Sequence, residues 1–176
     1  MNGLSVGWIL AGMLTVTVVT AGGRMDLVEF PEGYGDSFTR YLSTNRANDK
    51  PQMVHVYANG TALESAVEGQ SLADGSILVM EVYKAATDEN GEPVKQEDGT
   101  YRPGDLAAIA VMEKRDWGVE YPAEERAGDW GFGFYDASGQ PKANDLDCAG
   151  CHKPLAEQDY LFTFPQLSEF AGHHPQ

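Results

Sequence analysis

The chain has 176 residues, the length of one main domain, and carries 27 Asp and Glu against 12 Lys and Arg, a net charge of −15. Such a surface repels nucleic acid and anionic membranes, and no basic cluster offsets it, so nucleic-acid binding is excluded as a function class. What remains is plain solubility or an acidic face for a basic docking partner.

Residues 4–23 (LSVGWILAGMLTVTVVTAGG) carry no charge, and the first charged residue is Arg24. Val19-Thr20-Ala21 before Gly22 would serve as a signal-peptide cleavage site. A run of about 20 apolar residues is also long enough for an uncleaved anchor. The usual basic leading region is missing, and a buried N-terminal helix is the third option. Residues 1–21 are thus expected to be a signal peptide or N-terminal anchor. Residues 22–176 are expected to fold outside the cytoplasm, in the periplasm or an equivalent space, meeting a membrane only if that segment is retained. About 155 residues suffice for a real core.

Residues 34–43 (YGDSFTRYLS) set Tyr34, Phe38, Tyr41 and Leu42 at helical spacing, which predicts an amphipathic helix. Residues 52–58 (QMVHVYA) predict a strand. Asn59-Gly60 is a turn, and Thr61 with Glu64 three residues on forms a capping box for a helix through Val67. Residues 76–83 (SILVMEVY) give the clearest strand, with Leu78, Met80 and Val82 on one face and Ile77, Val79, Glu81 and Tyr83 on the other. Residues 87–104, acidic and rich in Gly and Pro, predict a long hairpin loop. Residues 106–113 (LAAIAVME) have helical propensity, but they follow a hairpin signal in a β-rich stretch and are read as a strand. Residues 129–136 (DWGFGFYD) predict a strand with Trp130, Phe132 and Phe134 on one face. Gly131 and Gly133 on the other would let a flat partner approach the backbone. Short helices are expected after His152 and over residues 164–170. The expected fold class is α+β, mainly β: an antiparallel sheet of four to five strands with short helices.

The chemistry concentrates in Cys148-Ala149-Gly150-Cys151-His152, which fits C-x-x-C-H, the c-type haem attachment pattern. Two thiols at this spacing reach adjacent edges of one porphyrin, and the next residue presents an imidazole to the iron. Cys148 and Cys151 are therefore the expected attachment points of one haem c, and His152 the expected proximal iron ligand. A zinc site would want a second Cys pair, which is absent. A thioredoxin-like pair would sit near a βαβ pattern, also absent. A simple disulfide is the plain alternative. The haem is expected to pack on the sheet. His55 reads as a strand histidine, and His173 and His174 as a frayed tail.

Further pieces of the chain resemble the cytochrome P-460 family, which also holds the cytochromes c′-β. They are Phe30-Pro31 with Tyr34, Val56-Tyr57-Ala58-Asn59, residues 74–79 (DGSILV), Gly104-Asp105, Trp130 with Phe132 and Phe134, and C-x-x-C-H followed by Asp159-Tyr160-Leu161-Phe162-Thr163. The resemblance spans residues 30–164. It implies a mainly antiparallel β fold, a homodimer, and a five-coordinate haem whose distal side is open to small ligands. Members are similar to enzymes oxidising hydroxylamine or nitric oxide, or to cytochromes binding nitric oxide. Two departures matter. The position of the enzymes' porphyrin-linked lysine matches Met80, whose thioether lacks the amine for that link; Lys84 lies too far along the strand to replace it. The position of their distal carboxylate matches Ala110, which does no proton chemistry, and Glu113 is the nearest alternative. Met80, Ala110 and Met112 then line an apolar distal pocket suited to nitric oxide. Alternatively Met80 reaches the iron and makes an electron carrier. Hydroxylamine oxidation is the third reading.

Overall fold

The computed structural model describes residues 22–48 and 50–174. The signal-peptide or anchor reading of residues 1–21 lies outside the described residues, among which no helix is long and apolar enough to cross a membrane.

Five strands run as an antiparallel meander in sequence order: β1 (Thr39–Asn45), β2 (Gln52–Ala58), β3 (Ile77–Ala85), β4 (Pro103–Lys114) and β5 (Trp130–Tyr135). The helices are short. α1 (Tyr34–Ser37) precedes β1, α2 (Gly60–Ser65) follows β2, and α3 (Cys148–His152) leads through a 3-10 segment, Lys153–Gln158, to α4 (Phe164–His173). The fold is the expected mainly β member of the α+β class. The acidic hairpin between β3 and β4 is held by isolated bridges, Thr87 to Pro93 and Lys95 to Tyr101, and by Asn45 of β1, which donates to Gly99 O and accepts from Tyr101 N.

One expected helix is largely a strand. Of residues 34–43, only α1 is helical, and Phe38 turns extended at φ −102°, ψ 155°. β1 then pairs with β2 from Thr39–Ala58 to Asn45–Met53, with a bulge between Arg40 and Leu42. The bulge puts Tyr41 and Leu42 against the same core. Two neighbours on one side, three and four residues after Phe38, imitate helical spacing in the sequence. The cap of α2 also differs from expectation. Asn59, not Thr61, is its N-cap. Its Oδ1 accepts from Ala62 N at 3.0 Å and from Ile77 N at 3.0 Å, and its Nδ2 donates to Gly75 O at 2.8 Å. Tying the helix to the start of β3 as well as capping it outweighs a local capping box.

Alternation along the strands divides the core in two. One face carries Val54, Val56, Leu78, Val82, Trp130 and Phe132, covered by α2, α4, Ala149 and Leu161. The opposite face carries Val79, Ile109 and Val111, covered by Val28, Tyr34, Trp117 and Tyr121. The flat partners of the β5 glycines come from the chain itself. A Cβ at Gly131 would lie 2.6 Å from Trp117 Cζ2 and 2.7 Å from Tyr121 Cε1, so the bare backbone is what lets these rings close.

Candidate functional site

α3 is five residues long and is held by its cap rather than by its length. Asp147 Oδ1 accepts from Gly150 N at 2.8 Å, and a Cβ at Gly150 would collide with the Asp147 carboxylate. The motif therefore needs its small residue for the turn itself. Cys148 and Cys151 are free thiols, the first half-buried against the core, the second exposed. Burial, with Cys151 and Asp147 adding, pushes the Cys148 thiol up to about 11, which disfavours a thiolate.

The imidazole of His152 sits between two rings, with centroids 5.0 Å from Phe132 and 5.0 Å from Phe162. Its Nδ1 is 2.7 Å from the Tyr160 carbonyl oxygen. A carbonyl only accepts, so Nδ1 carries the proton and Nε2 keeps the free lone pair. Burial holds the His152 pKa below its usual value, with the Tyr160 bond acting the other way. A neutral imidazole with one nitrogen engaged and the other available is the form that ligates a metal.

The Tyr160 carbonyl is aimed by strained backbone. Asp159 and Tyr160 are consecutive non-glycine residues with left-handed backbone, φ 49° and 62°, which costs about 1–3 kcal/mol each and requires support. Asp159 is anchored by four hydrogen bonds from three donors. Lys114 Nζ lies 2.6 Å from Oδ1 and 2.8 Å from Oδ2, Ser71 Oγ donates to Oδ1 at 2.7 Å, and Leu72 N donates to Oδ2 at 2.9 Å. Lys114 also bonds Ser71 Oγ and lies 5.5 Å from the Trp130 ring centre. Both ions are buried, Lys114 at 5% exposure and Asp159 at 9%. Tyr160 itself lies on Gly128, where any Cβ would collide with its ring.

The sheet face towards the motif is apolar in three rows from β2 onward, Thr44 and Thr39 of β1 ending the outer two. The central one runs Leu42, Val56, Met80, Ala110, Phe134 across all five strands. Val54, Val82 and Ala108 flank it on one side, and Ala58, Leu78, Met112 and Phe132 on the other. Met80 and Ala110 are direct cross-strand partners, and Met80, Met112 and Cys148 pack on one core cluster. Ala110, between Met80 and Phe134, is the small member of its row. Glu113 pairs with Ile77 and Gly131 and so belongs to the opposite face. None of the three rows holds a carboxylate.

These residues fit a haem. Among the described residues no three His, Cys, Asp or Glu side chains gather to hold a metal ion. A single available imidazole nitrogen therefore suits a metal that brings its own macrocycle. Phe162, 60% exposed, and Leu146, 40% exposed, leave apolar surface at the motif for a flat group to cover. The family model for Cytochrome P460 matches residues 31–163, well over half of the chain. The chain belongs to the cytochrome P460 family. It is therefore a haem cytochrome of the c type. No curated protein matches it.

Sequence reasoning missed the Tyr160 carbonyl and the Lys114–Asp159 pair. A signal for Lys114 existed. Ala108, Ala110, Met112 and Lys114 share a strand face by alternation, and a cation ending an apolar face needs an anion. Nothing local marked the carbonyl.

Proposed function

We propose that this chain is an exported cytochrome with one haem c, attached through Cys148 and Cys151 and ligated by His152 Nε2, that binds a small uncharged ligand such as nitric oxide at an open distal site lined by Met80 and Ala110. The observation that carries the reading is the row Met80–Ala110–Phe134, apolar and without a proton donor, on the face where Cys148 packs. When bound, the haem supplies an iron that takes a diatomic ligand. The chain supplies a neutral His152 with a fixed tautomer, a small residue at 110 that leaves space, and apolar neighbours that keep out water and charged competitors. Nitric oxide needs no proton from the protein, so Ala110 in place of a carboxylate does not impair its binding. Hydroxylamine oxidation, which moves protons, is disfavoured by the same row.

A second reading, an electron carrier with Met80 as sixth ligand, draws support from the half-buried Met80 on that face. In either case the acidic chain suits a basic redox partner, and family likeness suggests a homodimer. Export rests on the uncharged residues 4–23, and the exported space is the periplasm or its equivalent.

The test is the visible spectrum of the haem-loaded protein, oxidised and reduced, with and without nitric oxide. Broad high-spin bands that change with the gas are expected. Sharp low-spin bands indifferent to it would replace the ligand-binding reading with the electron carrier.

A further inference from the structure

We infer that Lys114 and Asp159 are positioning residues for the proximal ligand: their buried ion pair locks the left-handed turn that holds the Tyr160 carbonyl on His152 Nδ1, and so sets how strongly Nε2 donates. The inference rests on His152 being the iron ligand, as proposed above.

The chain of contacts is continuous. Lys114 ends β4, in the part of the sheet that pairs with Trp130. Its ammonium meets both carboxylate oxygens of Asp159, while Ser71 and Leu72, from the segment ahead of β3, hold the same carboxylate from another element. Asp159 is thus fixed to two separate elements. It is also the first of the two left-handed residues, and the second, Tyr160, presents its carbonyl to His152 at 2.7 Å. Without the anchor, right-handed backbone is the lower-energy state for both residues. Relaxation towards it would turn the carbonyl away from the imidazole.

The consequence is electronic as well as geometric. An accepted hydrogen bond on Nδ1–H makes Nε2 a stronger donor and fixes the ring plane, the role that partners behind a metal-bound imidazole generally play. A stronger donor favours the ferric state. Only a part of this effect would come from charge, because the pair is neutral overall. Gly128 acts in the same direction, since the Tyr160 ring lies on backbone that a side chain at 128 would displace.

The experiment compares the haem-loaded wild type with Asp159→Asn and with the double variant Lys114→Met/Asp159→Leu. The double variant removes both charges at once, keeps the net charge, and fills the space with apolar groups, which buried ion pairs tolerate. The measurements are the reduction potential and the iron–imidazole stretching frequency in the ferrous resonance Raman spectrum. In the double variant, a roughly tenfold shift of the equilibrium towards the ferrous state is expected, a rise of about 59 mV, with a lower stretching frequency wherever that band is present. An unchanged potential in a double variant with a native circular dichroism spectrum would overturn the inference alone. His152→Ala provides the separate check on the underlying assignment. If it leaves the visible spectrum as in wild type, His152 is not the ligand, and the inference falls with that reading.

Discussion

The two faces of the sheet each bury a carboxylate, and they neutralise it in opposite ways. On the face that carries Met80, Ala110 and the Cys148 packing, Asp159 meets a cation, Lys114. On the other face, Glu81 makes no ion pair among the described residues and is held by three phenols. Tyr34 donates to Oε1 at 2.7 Å, and Tyr57 and Tyr83 donate to Oε2 at 3.0 Å each. An ion pair is the more rigid arrangement, because removing Lys114 leaves Asp159 an uncompensated charge in the core with only the neutral donors Ser71 Oγ and Leu72 N to hold it. A carboxylate among neutral donors is more forgiving, because each donor lost leaves others in place. The rigid arrangement stands behind the expected iron ligand, where position matters most. The forgiving one lies on the far face, with no link to His152.

The sharpest way to break that comparison is to remove one partner on each side. Lys114→Met strands Asp159 and should cost about 3–5 kcal/mol of stability. Glu81→Gln keeps an acceptor for the phenols and should cost about 1–2 kcal/mol. Urea unfolding of the haem-loaded protein measures both. If the two costs come out equal, or in reverse order, the ion pair is not the more rigid device.

The faces should also differ in their response to alkali. Burial first, and the hydrogen bond to Glu81 next, push Tyr34 and Tyr83 well above the usual phenol range. Burial and the Glu81 charge push Tyr57 up as well. A folded-state pKa above the unfolded value stabilises the fold fully below the unfolded phenol value of about 10, and that contribution is lost as pH climbs from there through the folded values. Glu81→Gln takes away the anion that raises all three phenols, although burial still raises them. It should therefore flatten the decline of stability above about pH 10 in part. Denaturant midpoints between pH 9 and 11 would decide. A slope unaffected by Glu81→Gln would mean that Glu81 does not govern these phenols.

The difference between the faces also explains what could be read from the sequence. Strict alternation in residues 76–83 and 129–136 fixed the faces of β3 and β5, because burial on both sides of a strand rests on period-two patterning alone. C-x-x-C-H carried its chemistry in its spacing. Met80 and Ala110 could be named from a resemblance, yet their lying directly opposite one another is a matter of register, visible only once β3 and β4 are paired. Residues 34–43 misled because a bulge at Tyr41 reproduces a helical pattern on a strand. The anchor behind His152 was beyond reach for a different reason. It joins Ser71, Lys114 and Asp159 from three distant stretches, and its working atom is a backbone carbonyl, which any residue type could supply.

The smallest effects come from removing a single neutral donor on each face. Ser71→Ala takes one hydrogen bond from Asp159 but leaves Lys114 and Leu72 N in place. Tyr57→Phe takes one from Glu81 but leaves Tyr34 and Tyr83. Neutral donors to a charged acceptor are typically worth about 1.5–3 kcal/mol. Tyr57 is only half-buried, so water can replace its hydroxyl, and its loss should stay under about 1 kcal/mol. Ser71 is itself exposed, so water can replace part of its bonding too, but its Oγ contacts Lys114 as well and bridges the two ions, so Ser71→Ala should cost at least as much, about 1 kcal/mol. It should also raise the reduction potential slightly, in the direction of the Lys114→Met/Asp159→Leu double variant. The far-face change should leave the potential where it was. A shift with Tyr57→Phe as large as with Ser71→Ala would mean that the two faces are not electronically separate, and that the division drawn between them is one of packing alone.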